Sequence, residues 1–261
     1  MQWKPSTDGE ILFLELHQGL GSSIEVTGRD GAGLEFLTSE EYFIEMVRLF
    51  ATLEVFLRCL LTAREFVCMQ PESKPLLLGR ELSHAVDLPR SLWTNERFCA
   101  AAKQAGRIAH EKRRNARIER AATRTSPKTC YMCGIDLVET PAVHNQFTVE
   151  HLWPLCFGGE TVDANLVPMC KDCNEKRDNL LTWASAPIQA AFVRAGKRPD
   201  SLVRISLGLA RLIRTAENSG GKLLTLKEAA ERGAPMYPDL TLEEAKHYLY
   251  VDLFNLTQGV A

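Results

Sequence analysis

The stretch NLVPMCKDCNEKRD, residues 165–178, joins an apolar run to a pair of cysteines and then to a charged segment. Its pair Cys170 and Cys173 has the same C-x2-C spacing as an upstream pair, Cys130 and Cys133. Two such pairs supply four thiolates, the tetrahedral sulfur set that Zn²⁺ prefers in closed structural sites. We therefore expect these four cysteines to bind a structural zinc ion that holds this part of the fold.

The residues between and beside the cysteine pairs predict two strands and a helix. Polar and apolar side chains alternate over 147–151, which is typical of a half-buried strand, and 165–169 returns as a second strand after a Gly-Gly turn. The second cysteine pair begins a helix that carries Asn174. The result is a ββα unit clamped by zinc, in which we expect Glu150, His151 and Asn174 to converge on one cleft.

The order C-x2-C, E-H-x-x-P, G-G, N-L-V-P-M-C-x-x-C-N-x-x-R resembles the HNH endonuclease family in its four-cysteine form. The resemblance covers 130–178 and no other part of the chain. It implies a metal-dependent endonuclease that hydrolyses phosphodiester bonds in DNA. A monomer of this kind nicks duplex DNA, and a dimer cuts both strands. The resemblance also implies a catalytic Mg²⁺ or Mn²⁺ in addition to the structural zinc.

Roles for individual residues follow from the same resemblance. His151 matches the general base that activates water, and Asn165 matches the asparagine that braces the hairpin and holds this histidine in place. Asn174 and Glu150 match the two ligands of the catalytic metal ion, and Arg177 matches a basic residue that contacts phosphate. Glutamate departs from the usual aspartate or histidine but keeps the carboxylate that Mg²⁺ requires. Successive strand positions point to opposite faces, so Glu150 is expected to bind metal while His151 addresses the nucleophile.

A basic segment precedes the first cysteine pair. Residues 101–128 contain nine lysines and arginines against two glutamates. Four of the basic residues recur at helical spacing on one face: Lys103, Arg107, Arg114 and Arg117. Such a stripe predicts contacts with a DNA backbone. A solvated helix surface with no nucleic-acid contact is the alternative.

Composition limits the class of protein. The net charge is −2, with 45% hydrophobic and 25% charged residues, which is ordinary for a soluble globular chain. The N-terminus lacks the pattern of a signal peptide, and Glu54 and Arg58 interrupt the longest apolar run, so we expect a cytoplasmic protein that is not in a membrane. In a reducing compartment, cysteine pairs indicate metal binding before disulfides.

The predicted fold class is α+β and mostly helical, with a zinc-stapled ββα-metal (HNH) core inserted between helical N- and C-terminal regions. A long helix is expected over 39–66, short strands and turns over 10–37, and an irregular connection over 70–92. The predicted regions are a mostly helical N-terminal region for partner docking, a basic helix, the HNH nuclease domain and a C-terminal helical region: 1–100, 101–128, 129–183 and 184–261.

Two alternatives to a DNA nuclease remain open. The first is a non-catalytic zinc module that binds nucleic acid through its basic helix, although such a module would not need a histidine beside a carboxylate. The second is an RNA-cutting nuclease, because nothing in the motif distinguishes the sugar. The layout is also similar to that of small HNH effectors of prokaryotic anti-phage defence systems, which predicts a protein partner or a homodimer.

Overall fold

In the computed structural model, the helices of the N-terminal half pack around the loop that joins the two strands of a small sheet. The structure describes residues 3–20, 40–111, 129–177 and 222–233. Within them the chain is mostly helical and has one two-stranded antiparallel sheet. These features confirm the mostly helical α+β class, while the insertion of the core between two helical regions stays a prediction. Among the described helices, none combines the length and the apolar character that a membrane span requires.

Helix α1, Asp8–Leu20, replaces the strands and turns that were expected from residue 10 onward. Glu10 N donates to Thr7 Oγ1 at 3.3 Å, and Ser6 N donates to a carboxylate oxygen of Glu10 at 3.0 Å. This reciprocal capping satisfies two backbone donors at the start of the helix. The prediction was wrong for residues 10–20, because this capping pattern starts a helix there. Residues 21–37 lie outside the described residues.

Helix α2, Glu40–Met69, confirms the long helix expected over 39–66. The connection after it is not irregular, because helix α3 spans Pro75–Val86 and the short helix α4 spans Arg90–Trp93. Pro75 occupies the first turn of α3, where a missing backbone N–H costs nothing and the fixed φ favours the helix. Pro89 likewise directly precedes α4. The prediction of an irregular connection was therefore wrong for the residues of these two helices.

Helix α5, Glu96–Glu111, packs against α2 and α1. A Cβ on Gly106 of α5 would lie 2.7 Å from the backbone carbon of Ala63 in α2, so only glycine permits this close crossing. The first residues of the expected basic helix over 101–128 belong to α5, one face of which is buried. Residues 112–128 lie outside the described residues. Helix α7, Leu226–Gly233, is the described part of the predicted helical C-terminal region.

The sheet consists of strand β1, Phe147–His151, and strand β2, Leu166–Cys170. Their antiparallel register pairs Phe147 with Cys170 at one end and His151 with Leu166 at the other. Helix α6, Lys171–Arg177, follows β2 directly. The two strands and the helix predicted around the cysteine pairs are thus confirmed, with the second strand one residue later than expected.

The loop between the strands is buried against the N-terminal helices. The Trp153 ring lies 5.6 Å from the ring of Phe13 in α1 and 5.8 Å from that of Phe56 in α2. Gly158 has a left-handed φ of 78°, and a Cβ there would lie 2.5 Å from the Cβ of Ala105 in α5. Gly9 N donates to Gly158 O at 3.1 Å. Helices and loop therefore share one hydrophobic core.

Candidate active site

Four cysteines meet at the end of the sheet where β1 begins and β2 ends. Cys130 and Cys133 lie on a tight turn, while Cys170 ends β2 and Cys173 lies in α6. All four Sγ atoms lie within 4.8 Å of one another, and those of Cys133 and Cys170 are 3.8 Å apart. Four sulfurs at about 2.3 Å from a tetrahedral Zn²⁺ would be separated by roughly 3.8 Å. The cluster fits a structural zinc ion.

The local backbone supports a metal-binding knuckle. Cys130 N donates to Ile135 O at 2.8 Å, and Gly134 takes a left-handed φ of 72° in the turn between them. In the second pair, Cys173 N donates to Cys170 Sγ at 3.4 Å. A backbone N–H directed at sulfur stabilises a thiolate, which is the form that binds metal.

Thiol chemistry distinguishes the cluster from the cysteines of the helical core. Hydrogen bonds with Cys133, and then with Cys170 and Cys173, hold the pKa of the Cys130 thiol well below its usual value. Burial in α2 instead raises the pKa of Cys59 to about 12. Within the cluster Cys130 is thus the favoured thiolate, and hydrogen bonds with Cys130 and then Cys133 raise the pKa of Cys170 and Cys173. Cys59 stays a protonated core side chain.

Glu150 and His151 end β1 at the opposite end of the sheet from the cysteines. Both are buried, at 9% and 4% exposure. They occupy successive strand positions and so belong to opposite faces. His151 Nε2 lies 3.0 Å from the hydroxyl of Thr161, in the loop between the strands. This contact restricts the orientation of the imidazole ring.

Asn165 ties together the loop that follows His151. Its Oδ1 accepts from Trp153 N at 2.7 Å, and its Nδ2 donates to Trp153 O at 3.0 Å and to Glu160 O at 2.9 Å. The backbone adds a bond from Leu152 N to Asn165 O at 2.9 Å. Because Asn165 is fully buried, removal of its side chain would take three buried hydrogen bonds from this loop.

Asn174 lies in α6, over the face of the sheet that carries Thr148. Its Nδ2 donates to Thr148 Oγ1 at 3.0 Å, and Thr148 Oγ1 donates to Met169 O at 2.7 Å. Thr148 and Glu150 are two residues apart in β1 and therefore share a face. The structure thus places Glu150 and Asn174 on one side of the sheet, with His151 at its edge.

Two of the predicted DNA-contacting residues have partners within the protein. Lys103 Nζ donates to Ser73 O, and Arg107 Nη2 donates to Pro71 O at 3.5 Å. Both bonds fasten α5 to the connection after α2. Arg114 and Arg117 lie outside the described residues. Arg177 is the last residue of α6, and the structure describes only its backbone.

The sequence did not predict three of the contacts at this site. Thr161 meets His151 only after the loop has folded back, and no residue spacing indicates that pairing. Thr148 is a polar position in an alternating strand, and its bond to Asn174 depends on how α6 crosses the sheet. The third contact is that of Trp153, which is completely buried. Its partners in α1 and α2 could not be derived from local sequence.

Comparison with known proteins assigns the segment that holds this site. The HNH endonuclease family model matches residues 130–180, which include both cysteine pairs, both strands and α6. No curated protein and no solved structure matches the chain. The resemblance carried by the E-H, N and N positions is thereby confirmed for this segment. Residues 130–180 are therefore identified as an HNH endonuclease domain.

Proposed function

We propose that this chain is a metal-dependent endonuclease that hydrolyses phosphodiester bonds in DNA. The observation that carries the proposal is the adjacent pair Glu150 and His151 at the end of β1. Asn165 braces the loop that follows this pair through three side-chain hydrogen bonds. A zinc module that only bound nucleic acid would need the cysteine cluster but not a buried carboxylate beside a buried imidazole.

In this proposal His151 is the general base. Imidazole is the side chain whose ordinary pKa lies closest to neutral pH, which suits it to take a proton from an attacking water. The bond between His151 Nε2 and Thr161 holds the ring at a fixed angle to the strand. Asn165 acts through the backbone, because its bonds to Trp153 hold the residues that follow His151.

Glu150 and Asn174 are the proposed ligands of the catalytic cation. A carboxylate and an amide oxygen on one face of the sheet form a hard oxygen donor set, which suits Mg²⁺ or Mn²⁺. A bound divalent cation supplies stabilisation of negative charge on the phosphodiester. The two residues come from different elements, β1 and α6. The cysteine cluster joins α6 to the end of β2, and β2 pairs with β1.

Phosphate contacts are assigned to basic residues of α6 and of the segment that precedes the first cysteine pair. We propose that Arg177 at the end of α6, together with Arg114 and Arg117, contacts the DNA backbone. Lys103 and Arg107 would have to leave their carbonyl partners in order to join them.

The proposal is tested with purified, zinc-loaded full-length chain and supercoiled plasmid in Mg²⁺ or Mn²⁺. Wild type should produce nicked circles, and EDTA should prevent nicking. Glu150→Ala should nick at least about 100-fold more slowly, since loss of the carboxylate ligand removes the charge stabilisation by the cation, which is worth several kcal/mol. Glu139→Ala, which removes an exposed glutamate of the same domain, is the matched control and should keep the wild-type rate.

Two outcomes would replace this function with an alternative. Plasmid that shifts on a gel but stays supercoiled under all metal conditions would favour the non-catalytic binding module. A labelled RNA of the same sequence, digested beside single-stranded DNA, separates the two nuclease activities. Faster cleavage of the RNA would overturn the assignment to DNA.

Assembly with a second protein or a second copy is part of the proposal. A site of this kind cuts one strand, so double-strand cleavage requires a homodimer or a second nick. We propose that the chain acts as an effector of a prokaryotic anti-phage defence system and docks a partner through its N-terminal helical region. A monomer that is fully active alone, and with which no partner co-purifies from its host, would contradict this assignment.

A further inference from the structure

The hydroxyl group of Thr148 lies between a backbone carbonyl and the side-chain amide of Asn174. Thr148 Oγ1 donates to Met169 O across the sheet at 2.7 Å. Asn174 Nδ2 donates to the same Oγ1 at 3.0 Å. Thr148 therefore connects β1, β2 and α6 through a single oxygen atom.

The chemistry of the hydroxyl determines which way the Asn174 amide faces. A threonine hydroxyl has one proton, and a carbonyl oxygen is only an acceptor. The proton of Thr148 is used by Met169 O, so Thr148 Oγ1 can only accept from the group on its other side. That group must be the NH₂ of Asn174. Because the amide is planar, Asn174 Oδ1 is directed away from Thr148.

The direction of the amide matters for a cation on this side of the sheet. Thr148 and Glu150 share a face of β1, and Asn174 lies against that face. An amide oxygen is a ligand for a hard cation, whereas an NH₂ group carries partial positive charge and repels it. If the amide turned over, it would present the wrong group to the cation.

We propose that Thr148 is a positioning residue that holds the amide oxygen of Asn174 toward the catalytic divalent cation. This inference rests on the proposed function, since it presumes that Glu150 and Asn174 are ligands. It adds a residue that touches neither metal nor DNA. Contacts of this kind, made to a ligand instead of to the metal, commonly change metal affinity by about 10–100-fold.

The test measures Mn²⁺ affinity directly, by the EPR signal of free Mn²⁺ in titrations of zinc-loaded full-length protein without DNA. Thr148→Val removes the hydroxyl with little change in shape and should raise the Kd for Mn²⁺ about tenfold or more. Thr148→Ser keeps the hydroxyl and should remain near the wild-type Kd. Zinc content per chain checks that each variant keeps the cysteine cluster and its fold.

A second comparison uses Asn174→Asp. Both oxygens of a carboxylate are acceptors, so its orientation no longer decides which group meets the cation. Thr148→Val should therefore weaken Mn²⁺ binding much less in the Asn174→Asp background than in the wild-type background. Equal fold-changes in the two backgrounds would mean that Thr148 does not act through the amide orientation.

The outcomes separate this inference from the proposed function. If Glu150→Ala and Asn174→Ala lose Mn²⁺ binding but Thr148→Val binds as wild type, the positioning role is overturned and the metal site stands. If none of these variants changes Mn²⁺ binding, the metal site and the positioning role are both wrong. Should Thr148→Val fail to hold zinc, Thr148→Ser and Thr148→Ala provide the comparison, and equal Kd values for those two would overturn the role.

Discussion

The two ends of the β1–β2 hairpin are held by different forces. At the end where Phe147 pairs with Cys170, four cysteines form a cluster that fits a zinc ion. At the end where His151 pairs with Leu166, a buried tryptophan anchors the following loop in an aromatic group from α1 and α2. The cysteines at the first end lie at most 43 positions apart along the chain, whereas Phe56 and Phe13 at the second end precede Trp153 by 97 and 140 positions. The proposed site lies between them and depends on both.

Loss of a cysteine at the end of the hairpin that holds the four-cysteine cluster, here called the zinc end, should have the largest effect on zinc content and on nicking. Cys173→Ser removes one of four thiolates, and structural zinc supplies apparent free energies of about 10–16 kcal/mol in small zinc domains. We expect the variant to purify with much less than one zinc per chain and to lose all nicking activity. Zinc analysis and the plasmid assay measure this, with Cys68→Ser, an exposed cysteine, as the control. Full zinc content in Cys173→Ser would show that the cluster is not the metal site.

The next largest effect, on the free energy of unfolding, is expected at the other end of the hairpin, here called the packed end, where Trp153 packs against α1 and α2. Trp153 is completely buried, and truncation of a buried tryptophan costs about 3–5 kcal/mol. Trp153→Ala should therefore lower the free energy of unfolding by this amount, while zinc content stays near one per chain. Denaturant titration checks the first and metal analysis the second. Trp93→Ala, which truncates a half-buried tryptophan, should cost clearly less, and equal losses would contradict the anchoring role of Trp153.

A smaller effect is expected at the contact that orients His151. Thr161→Val removes the hydroxyl next to Nε2. The net value of one hydrogen bond is about 0.5–1.5 kcal/mol, so the nicking rate should fall roughly three- to tenfold. Thr161→Ser restores the hydroxyl and should recover most of the rate. A Thr161→Val enzyme with the wild-type nicking rate would show that Thr161 does not orient His151 for catalysis.

The smallest effect concerns pH at the packed end, where Asp8 begins α1. Burial, and then the charge of Glu160, raises the pKa of Asp8 to about 6. Since the folded pKa lies above the unfolded one, the folded state binds the extra proton, and stability falls as pH rises toward and through 6. Asp8→Asn keeps the side chain neutral, so its melting temperature relative to wild type should increase from pH 5 to pH 8. A difference that stays constant over this range would contradict the raised pKa.

The zinc end was predictable from sequence because its determinants are local. The C-x2-C spacing and the alternation in β1 indicate the ββα unit. The chain order of Glu150, His151, Asn165 and Asn174 indicates its resemblance to the HNH family. The packed end was not predictable, because Trp153 meets Phe13 and Phe56 only in the folded chain. Helices α1 and α3 were missed for a different reason. The capping pair Thr7 and Glu10 starts α1, and Pro75 starts α3. Both signals stand close to glycines or prolines, which are also typical of turns.

The most direct test of the central claim is the single-turnover rate at which zinc-loaded chain nicks end-labelled duplex DNA in Mg²⁺ or Mn²⁺. We predict that His151→Ala lowers this rate by on the order of 10²–10⁴, the usual contribution of a general base, with zinc content unchanged. His144→Ala, which removes an exposed histidine of the same domain, should retain the wild-type rate. Equal rates for His151→Ala and wild type would contradict the assignment of the active site to the end of β1.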